Sequence, residues 1–433
     1  MKLNLKRTIF IGLAFFAVTA FWQMYDNVIP LILKNTFHLG DTLQGVIMAM
    51  DNVLALFLLP LFGSLSDKTH SRIGKRMPYI IIGTALASVF SIAIPLIDNS
   101  YFASPDTGKY VAFVIVLGAL LFSMGIFRSP AVALMPDLTP RPLRSQGNAI
   151  INLMGAVGAI MILLVSQVLF SDDKVKNLAH VDYLPIFVIV VGLMILSVII
   201  LFFTINENKI AATLPVEEDD DEENKKSDKR TIEVLKSMPR AVRISLLLIL
   251  LSVAFWYMGY NAVTTSFTKF AQQEWGMELG SASRCLTIAT GVAVVSYIPV
   301  GAISSKIGRK KSIIIGVIML GSAFTAFAVC SFTAESFSGI MYVFLAVLGF
   351  AWAAINVNSL PMVVELATGD EIGRFTGYYY SFSMAAQILT PVLSGFFLEF
   401  VGYKTLFIYA AFFVFLSLMT MLGVKHGDNR PSN

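Results

Sequence analysis

The chain has 433 residues, of which 56% are hydrophobic and only 14% charged, with a net charge of +4 at pH 7. Soluble globular chains carry about 25% charged residues, so this composition excludes a water-soluble domain. Apolar runs long enough to cross a bilayer as helices recur along the chain, whereas a β-barrel needs short alternating segments. We therefore predict an all-α protein whose partner is the lipid bilayer.

The first apolar run follows Lys2, Lys6 and Arg7, as in a secretory signal peptide. It continues to Leu33, which is too long for such a peptide, so we interpret it as a retained transmembrane helix. Twelve spans are predicted, at 8–33, 42–66, 77–98, 110–136, 146–170, 184–205, 241–270, 279–304, 312–331, 339–365, 375–399 and 405–424. They form an N-terminal six-helix bundle at 1–205 and a C-terminal bundle with a short tail at 241–433.

A short cationic turn lies between the second and third spans, within residues 60–83. An apolar run ends there at Asp67, and the next begins at Met77. The basic residues between them are Lys68, Arg72, Lys75 and Arg76. Most of the 32 Lys and Arg residues fall on the same side as this turn, so the positive-inside rule predicts that the turn and both termini are cytoplasmic.

The only long polar segment is 206–240, which contains the run VEEDDDEENKKSDKR. Its many like charges and lack of apolar periodicity predict a solvated, disordered linker between the two bundles. A regulatory site in this linker is the alternative.

The two halves look like copies of one unit. AFWQMYDN at 20–27 matches AFWYMGYN at 254–261, and GKRMPYIIIG at 74–83 returns as GRKKSIIIG at 308–316. PLFGSLSDK at 60–68 returns as PVGAISSK at 299–306, with Ser305 in place of the acid. We infer an internal duplication. Parallel repeats of this kind place a substrate site between two rocking halves.

The turn GSLSDKTHSRIGKRMP resembles the loop between helices 2 and 3 of the major facilitator superfamily. SDKTHSRIGKRMPYIIIG and ALMPDLTPRPLRSQGNAI are similar to segments of the glycoside–pentoside–hexuronide cation symporters and the sucrose–proton symporters. The resemblance implies cation-coupled symport of a sugar, a di- or oligosaccharide, with helices 1, 4, 7 and 10 lining the cavity. Melibiose-type sodium symporters carry two helix-2 aspartates where this chain has Ala55 and Leu59, so we expect H⁺ rather than Na⁺.

Three ionisable residues lie deep in predicted spans, where charge is costly and usually functional: Asp26, Asp51 and Arg128. At 1.5 Å per residue, Asp26 lies about 28 Å above Arg7 and Asp51 about 24 Å above Asp67, so the carboxyl groups share a depth. We predict that Asp26 or Asp51 carries the coupling proton and that Arg128 is its counter-charge. A static salt bridge that locks the N-terminal half is the alternative.

The predicted sugar site combines aromatic rings, which stack on a sugar's apolar face, with groups that bind its hydroxyls. Trp22 and Asp26 share one face of helix 1, and Trp256 and Tyr260 repeat that spacing in helix 7. Further candidates are Gln23, Asn27, Asn152, Tyr257, Asn261, Trp352, Asn356, Asn358 and Gln387. Each candidate also fits interhelical packing or hydrogen bonding.

A cytoplasmic gate is predicted from charged residues at helix ends. Its first copy is Asp67, Lys68, Arg72, Lys75, Arg76, Asp137 and Arg144, and its second copy includes Glu365 and Arg374. Helix capping and topology alone are the alternative.

Other classes find little support in the sequence. No phosphate loop or metal-ligand spacing is present, so we expect no enzyme, cofactor or metal, and no nucleic-acid partner. We expect a monomer in the cytoplasmic membrane of a cell, with Cys285 and Cys330 as packing residues. A lysolipid or drug carrier on the same scaffold and a non-transporting sugar sensor are the rival functions.

Overall fold

The computed structural model describes residues 3–140, 143–213, 238–366 and 372–428, and its regular structure there is helical throughout. The twelve long helices, α1 to α12, are Leu5–Asn35, Asp41–Asp67, Met77–Ala103, Thr107–Asp137, Arg144–Leu169, Leu184–Thr204, Arg240–Trp275, Leu279–Ile307, Arg309–Thr333, Met341–Val364, Ile372–Phe400 and Thr405–Leu422. All twelve contain a stretch long and apolar enough to cross a membrane. The predicted fold class is confirmed. The acidic run of the predicted linker, 216–230, lies outside the described residues.

Two short helices follow long ones, Asp172–Val175 after α5 and Glu207–Ala211 after α6. The largest boundary differences are at α3 and α7, which continue to Ala103 and Trp275 instead of ending near 98 and 270. At α7 the prediction stopped at the polar residues around Lys269. That lysine is buried and ion-paired, so the helix continues beyond it.

Contacts between residues group the chain into two units, and the first comprises 1–215 together with 265–287. In it α1 packs on α5 and α6, and α4 packs on α2 and α3. Glycines allow the closest approaches: a Cβ on Gly158 would lie 2.4 Å from the Phe16 carbonyl oxygen, and one on Gly83 would lie 2.6 Å from the Phe127 nitrogen. Small residues commonly permit such contacts between membrane helices.

The second unit comprises 216–264 and 288–433. Here α9 packs on α10 and α12, around a core that includes Phe324, Phe327 and Phe407. Gly349 of α10 lies against α8, where a Cβ would be 2.2 Å from the Ala289 carbonyl oxygen. Both units therefore use apolar rings to fill the core and glycines to bring backbones together.

Candidate functional site

The structure brings the three predicted coupling residues together inside the first unit. Asp26 of α1, Asp51 of α2 and Arg128 of α4 lie close enough to interact electrostatically. The Arg128 guanidinium carbon lies 5.6 Å from the centre of the Trp22 ring, a cation–π distance. We call Asp26, Asp51, Arg128 and Trp22 the charged cluster.

Within the described residues, no ion pair of 4.0 Å or less joins Arg128 to Asp26 or Asp51. Asp51 Oδ1 accepts hydrogen bonds from the backbone N and the Nδ2 of Asn52, at 2.6 and 2.7 Å. The geometry is therefore not that of a locked salt bridge. The charges are near each other but not in direct contact.

Two buried polar atoms in or beside the charged cluster have no hydrogen-bond partner among the described residues: Trp22 Nε1 and the Tyr25 hydroxyl. Tyr25 interacts electrostatically with Asp26 and Asp51, and its ring packs edge-on against Trp22 at 5.3 Å. Burying a polar group without a hydrogen-bond partner costs free energy, so these two groups are candidates to bind a substrate. Tyr25 was not among the predicted site residues, although it lies between Trp22 and Asp26 in the same helix.

Among the other polar candidates of the first unit, Asn27 and Asn152 are already hydrogen-bonded. Asn27 donates to the Gln23 carbonyl oxygen at 2.7 Å and accepts from the Thr268 hydroxyl at 2.7 Å. Its amide thus forms an interhelical bond within the unit. Asn152 lies at an exposed position of α5 and donates to the Asn148 carbonyl oxygen, and the Gln23 side chain is half-buried.

In the second unit, three predicted aromatic residues form an aromatic cluster. Tyr260 stacks on Trp352 with ring centres 3.6 Å apart and planes 5° apart, and Tyr257 packs edge-on against Trp352 at 5.5 Å. Tyr379, which was not predicted from the sequence, interacts electrostatically with Tyr257, and its hydroxyl lies 2.9 Å from the Ser359 hydroxyl, a hydrogen-bond distance. Flat rings of this kind suit the apolar face of a sugar.

The remaining candidates of the second unit do not all join the aromatic cluster. Trp256 is fully buried, and its Nε1 has no hydrogen-bond partner in the described chain. Asn358 is buried and donates to the Ala354 carbonyl oxygen, and Gln387 donates to the Ser383 carbonyl oxygen. Asn261 and Asn356 occupy half-buried positions.

A buried ion-pair network that the sequence analysis missed lies at the opposite ends of the helices from the cationic turn. Lys269 Nζ contacts Asp41 Oδ1 at 3.0 Å and Gln44 Oε1 at 2.9 Å, and Lys34 Nζ contacts Asp41 Oδ2 at 2.8 Å. Lys269, Asp41 and Gln44 are each at most 5% exposed. A lysine placed among the last apolar turns of a predicted span was the available signal.

The predicted gate residues of the first half are assembled around Arg76. Its guanidinium pairs with Asp67 and bonds Asp137 Oδ2 through Nε at 2.7 Å, while Lys75 Nζ lies 3.1 Å from Asp137. Arg144 donates to the carbonyl oxygens of Pro136 and Thr139 at the end of α4. By contrast, Lys68 and Arg72 are exposed.

The second half also has an ion pair at this end of its helices. Glu365, which follows α10, pairs with Arg309 at the start of α9. The predicted Arg374 lies half-buried in the first turns of α11. Both halves therefore have a base paired with an acid at helix ends.

Two carboxylates that were not predicted as gate residues cap helices at this same end of the molecule's helices. Glu207 accepts from the backbone nitrogens of Lys75, Arg76 and Met77, at 3.0 to 3.3 Å. Burial raises the pKa of the Glu207 carboxyl, and these N–H donors offset part of that rise. In the second half, Asp428 Oδ1 accepts from the Arg309 nitrogen at 2.7 Å.

Comparison with known proteins agrees with this architecture. The chain matches the family model of the Major Facilitator Superfamily over residues 11–290 and 249–433. An uncharacterized MFS-type transporter of Methanocaldococcus jannaschii is 22% identical over 92% of this chain and 90% of the relative. A sucrose transport protein of Oryza sativa subsp. japonica is 29% identical, over only 29% of this chain and 27% of the relative.

Solved structures share the fold at low identity. A bacterial homologue of the iron transporter ferroportin superposes with a TM-score of 0.70 at 11% identity, covering 97% of this chain and 99% of that one. A D-xylose-proton symporter has a TM-score of 0.67 at 15% identity, covering 98% of both chains.

Within the described residues, twelve helices could cross a membrane and hold charged groups among them, and with the family match they define a polytopic membrane transporter and not an enzyme. The chain belongs to the Major Facilitator Superfamily.

Proposed function

We propose that the protein is a proton-coupled symporter that carries a sugar, a di- or oligosaccharide, by alternating access. The observation that carries the proposal is the charged cluster, where two carboxyl groups and one guanidinium lie within electrostatic reach without an ion pair among the described residues. The partial match to a sucrose transport protein supports a sugar as the solute.

The charged cluster suits reversible protonation. Burial favours the neutral form of a carboxyl group, whereas a nearby guanidinium favours its ionised form. A proton on Asp26 or Asp51 leaves one carboxylate to balance Arg128. Movement of that proton through 100 mV supplies about 2.3 kcal/mol, enough to concentrate a neutral solute about 50-fold.

Recognition of the sugar is assigned to rings and polar groups in each half. In the first unit these are Trp22, with its indole N–H, and the Tyr25 hydroxyl. In the second unit they are Tyr260, Trp352 and Tyr257. We place the protein in the cytoplasmic membrane, with the 67–76 turn and both termini on the cytoplasmic side, because most basic residues lie there.

Purified protein in liposomes loaded with a pH-sensitive dye tests the proposal. With a panel of glycosides outside, we expect at least one sugar to drive proton entry. The proposal is overturned if no sugar in the panel moves protons, or if transport proceeds equally fast without a pH gradient and without proton movement.

Asparagine variants of the two aspartates test the proton assignment. We expect the carrier variant, Asp26→Asn or Asp51→Asn, to lose uphill uptake while keeping sugar counterflow, because exchange of sugar does not need release of the proton. Uptake against a gradient and counterflow are measured in the same liposomes at equal protein content. Retention of uphill uptake in both variants would exclude the charged cluster as the coupling site.

A further inference from the structure

The first turns of α3 and α9 are capped in the same way. A glycine with positive φ precedes each helix: Gly74, at +113°, lies shortly before Met77 of α3, and Gly308, at +93°, lies directly before Arg309 of α9. The two glycines are related by the duplication, since GKRMPYIIIG corresponds to GRKKSIIIG. At each helix start, a carboxylate from a remote part of the same half accepts from backbone nitrogens: Glu207 accepts from three at α3, and Asp428 accepts from that of Arg309 at α9.

The glycines make room for these carboxylates. A Cβ on Gly74 would lie 2.0 Å from Glu207 Oε2, and a Cβ on Gly308 would lie 2.9 Å from Asp428 Oδ2. Only glycine adopts these φ values without strain. Each site therefore combines a backbone geometry and a clearance that no other residue type provides.

The two carboxylates also hold equivalent places in the chain. Glu207 comes shortly after α6, which ends at Thr204, and Asp428 comes shortly after α12, which ends at Leu422. These segments share no evident sequence match, so the sequence comparison missed the repeat. The structure shows it as a repeated contact.

Each cap adjoins a gate ion pair. In the first half Arg76, whose backbone N–H bonds Glu207, pairs through its side chain with Asp137 at the end of α4. In the second half Arg309, whose backbone N–H bonds Asp428, pairs with Glu365 at the end of α10. In each half, therefore, one carboxylate holds the backbone of the arginine, and a second carboxylate binds its side chain.

The tail that carries Asp428 is held in place by its own contacts. Lys310 Nζ donates to the Val424 carbonyl oxygen at 2.5 Å. Ser245 Oγ lies 3.1 Å from His426 Nδ1 and accepts from the Lys425 nitrogen at 3.2 Å. These bonds join residues 424–428 to the starts of α7 and α9.

We propose that Glu207 and Asp428 are paired positioning residues of the transport cycle, each holding the first turn of a helix so that its base meets the acid across the gate. The tail through Asp428 is then a working part of the transporter. The inference rests on transport by this family and on the gate, and not on the identity of the sugar or the ion.

Hydrogen–deuterium exchange of the full-length protein tests the caps and needs no substrate. In Asp428→Asn the amide oxygen still accepts from the Arg309 nitrogen but without the negative charge, so we expect amide exchange in the first turn of α9 to rise about tenfold, while the first turn of α3 is unchanged. Glu207→Gln should give the reverse pattern. In each variant, the helix start that keeps its carboxylate serves as the internal control. Unchanged exchange in both variants would overturn the proposal.

Transport kinetics separate positioning from simple structural support. For whichever panel sugar the parent protein moves, we expect both variants to lower the maximal rate about tenfold with KM unchanged, and Asp428→Glu to restore part of the rate. A raised KM with an unchanged maximal rate, or full activity despite faster exchange, would overturn the positioning role. If the parent moves no sugar, the proposed function fails, but the exchange result still decides whether the caps exist.

Discussion

At the scale of single residues, the arrangement of Arg128 is the most informative feature. Its guanidinium lies over the Trp22 ring. No carboxylate of the described residues lies within ion-pair distance of it. The planar guanidinium can stack on a ring while its edge donors stay available. Arg128 can therefore respond to a change in the protonation of Asp26 or Asp51 without first breaking a salt bridge.

Gly74 provides a residue-scale test of the α3 cap. In Gly74→Ala the new methyl group would collide with Glu207, and the backbone would be strained at φ +113°. We expect a loss of about 1 to 3 kcal/mol in the free energy of unfolding. Thermal unfolding in detergent measures the loss.

Gly118→Ala is the matched control, because a Cβ there meets no atom within 4 Å. It should leave the unfolding temperature unchanged or slightly higher, as alanine favours helix over glycine. Equal unfolding temperatures for the two variants would contradict the proposed strain at Gly74.

At the scale of elements, the buried network of Lys269, Asp41 and Gln44 fastens α7 to α2 inside the first unit. Burying a lysine is tolerable only when it is paired and hydrogen-bonded. The network therefore explains why α7 remains helical through this polar region. It also makes the pairing of Asp41 a requirement for stability.

Asp41→Asn tests this requirement. The substitution leaves the buried Lys269 without its carboxylate, and breaking a buried pair in this way typically costs about 3 to 5 kcal/mol. We expect a large drop in unfolding temperature or in the yield of folded protein. Lys34→Gln is the control, since Lys34 is 26% exposed and pairs with the same carboxylate. A similar loss in both variants would argue against a special role for the buried pair.

The elements show where sequence reasoning succeeds and where it stops. Long apolar runs define the twelve helices. Acidic and basic residues gather at the helix ends around Arg76, so Asp67 and Asp137 could be grouped with it from the sequence, and the structure shows these ion pairs. The caps and the Lys269 network could not be derived in this way. Their partners are far apart in the chain, Glu207 with Arg76 for instance, and periodicity carries no information about such contacts.

The candidate site was predictable at one level only. An ionisable residue in an apolar run is costly and conspicuous, so Asp26, Asp51 and Arg128 could be selected from the sequence. Whether an amide faces a cavity or bonds its own helix depends on rotation and side-chain conformation. Asn27 and Asn358 illustrate this, because both are buried and already hydrogen-bonded.

At the scale of the whole molecule, the proposed topology can be tested by labelling. With Cys285 and Cys330 replaced by alanine, a cysteine at the exposed Arg72 should react with a membrane-impermeant maleimide only after the cells are opened. A cysteine at the exposed Ser104, on the opposite side, should react in intact cells. The reverse pattern would invert the assigned orientation.

The repeated caps bear on how such a chain arose. Glu207 and Asp428 each fasten a helix of their own half, so neither half borrows this contact from the other. A single ancestral six-helix unit, ending in an acidic residue, would already have possessed its own cap. Duplication and fusion of such a unit would need to add only a connecting segment. The two copies could then diverge in sequence while each kept its capping carboxylate.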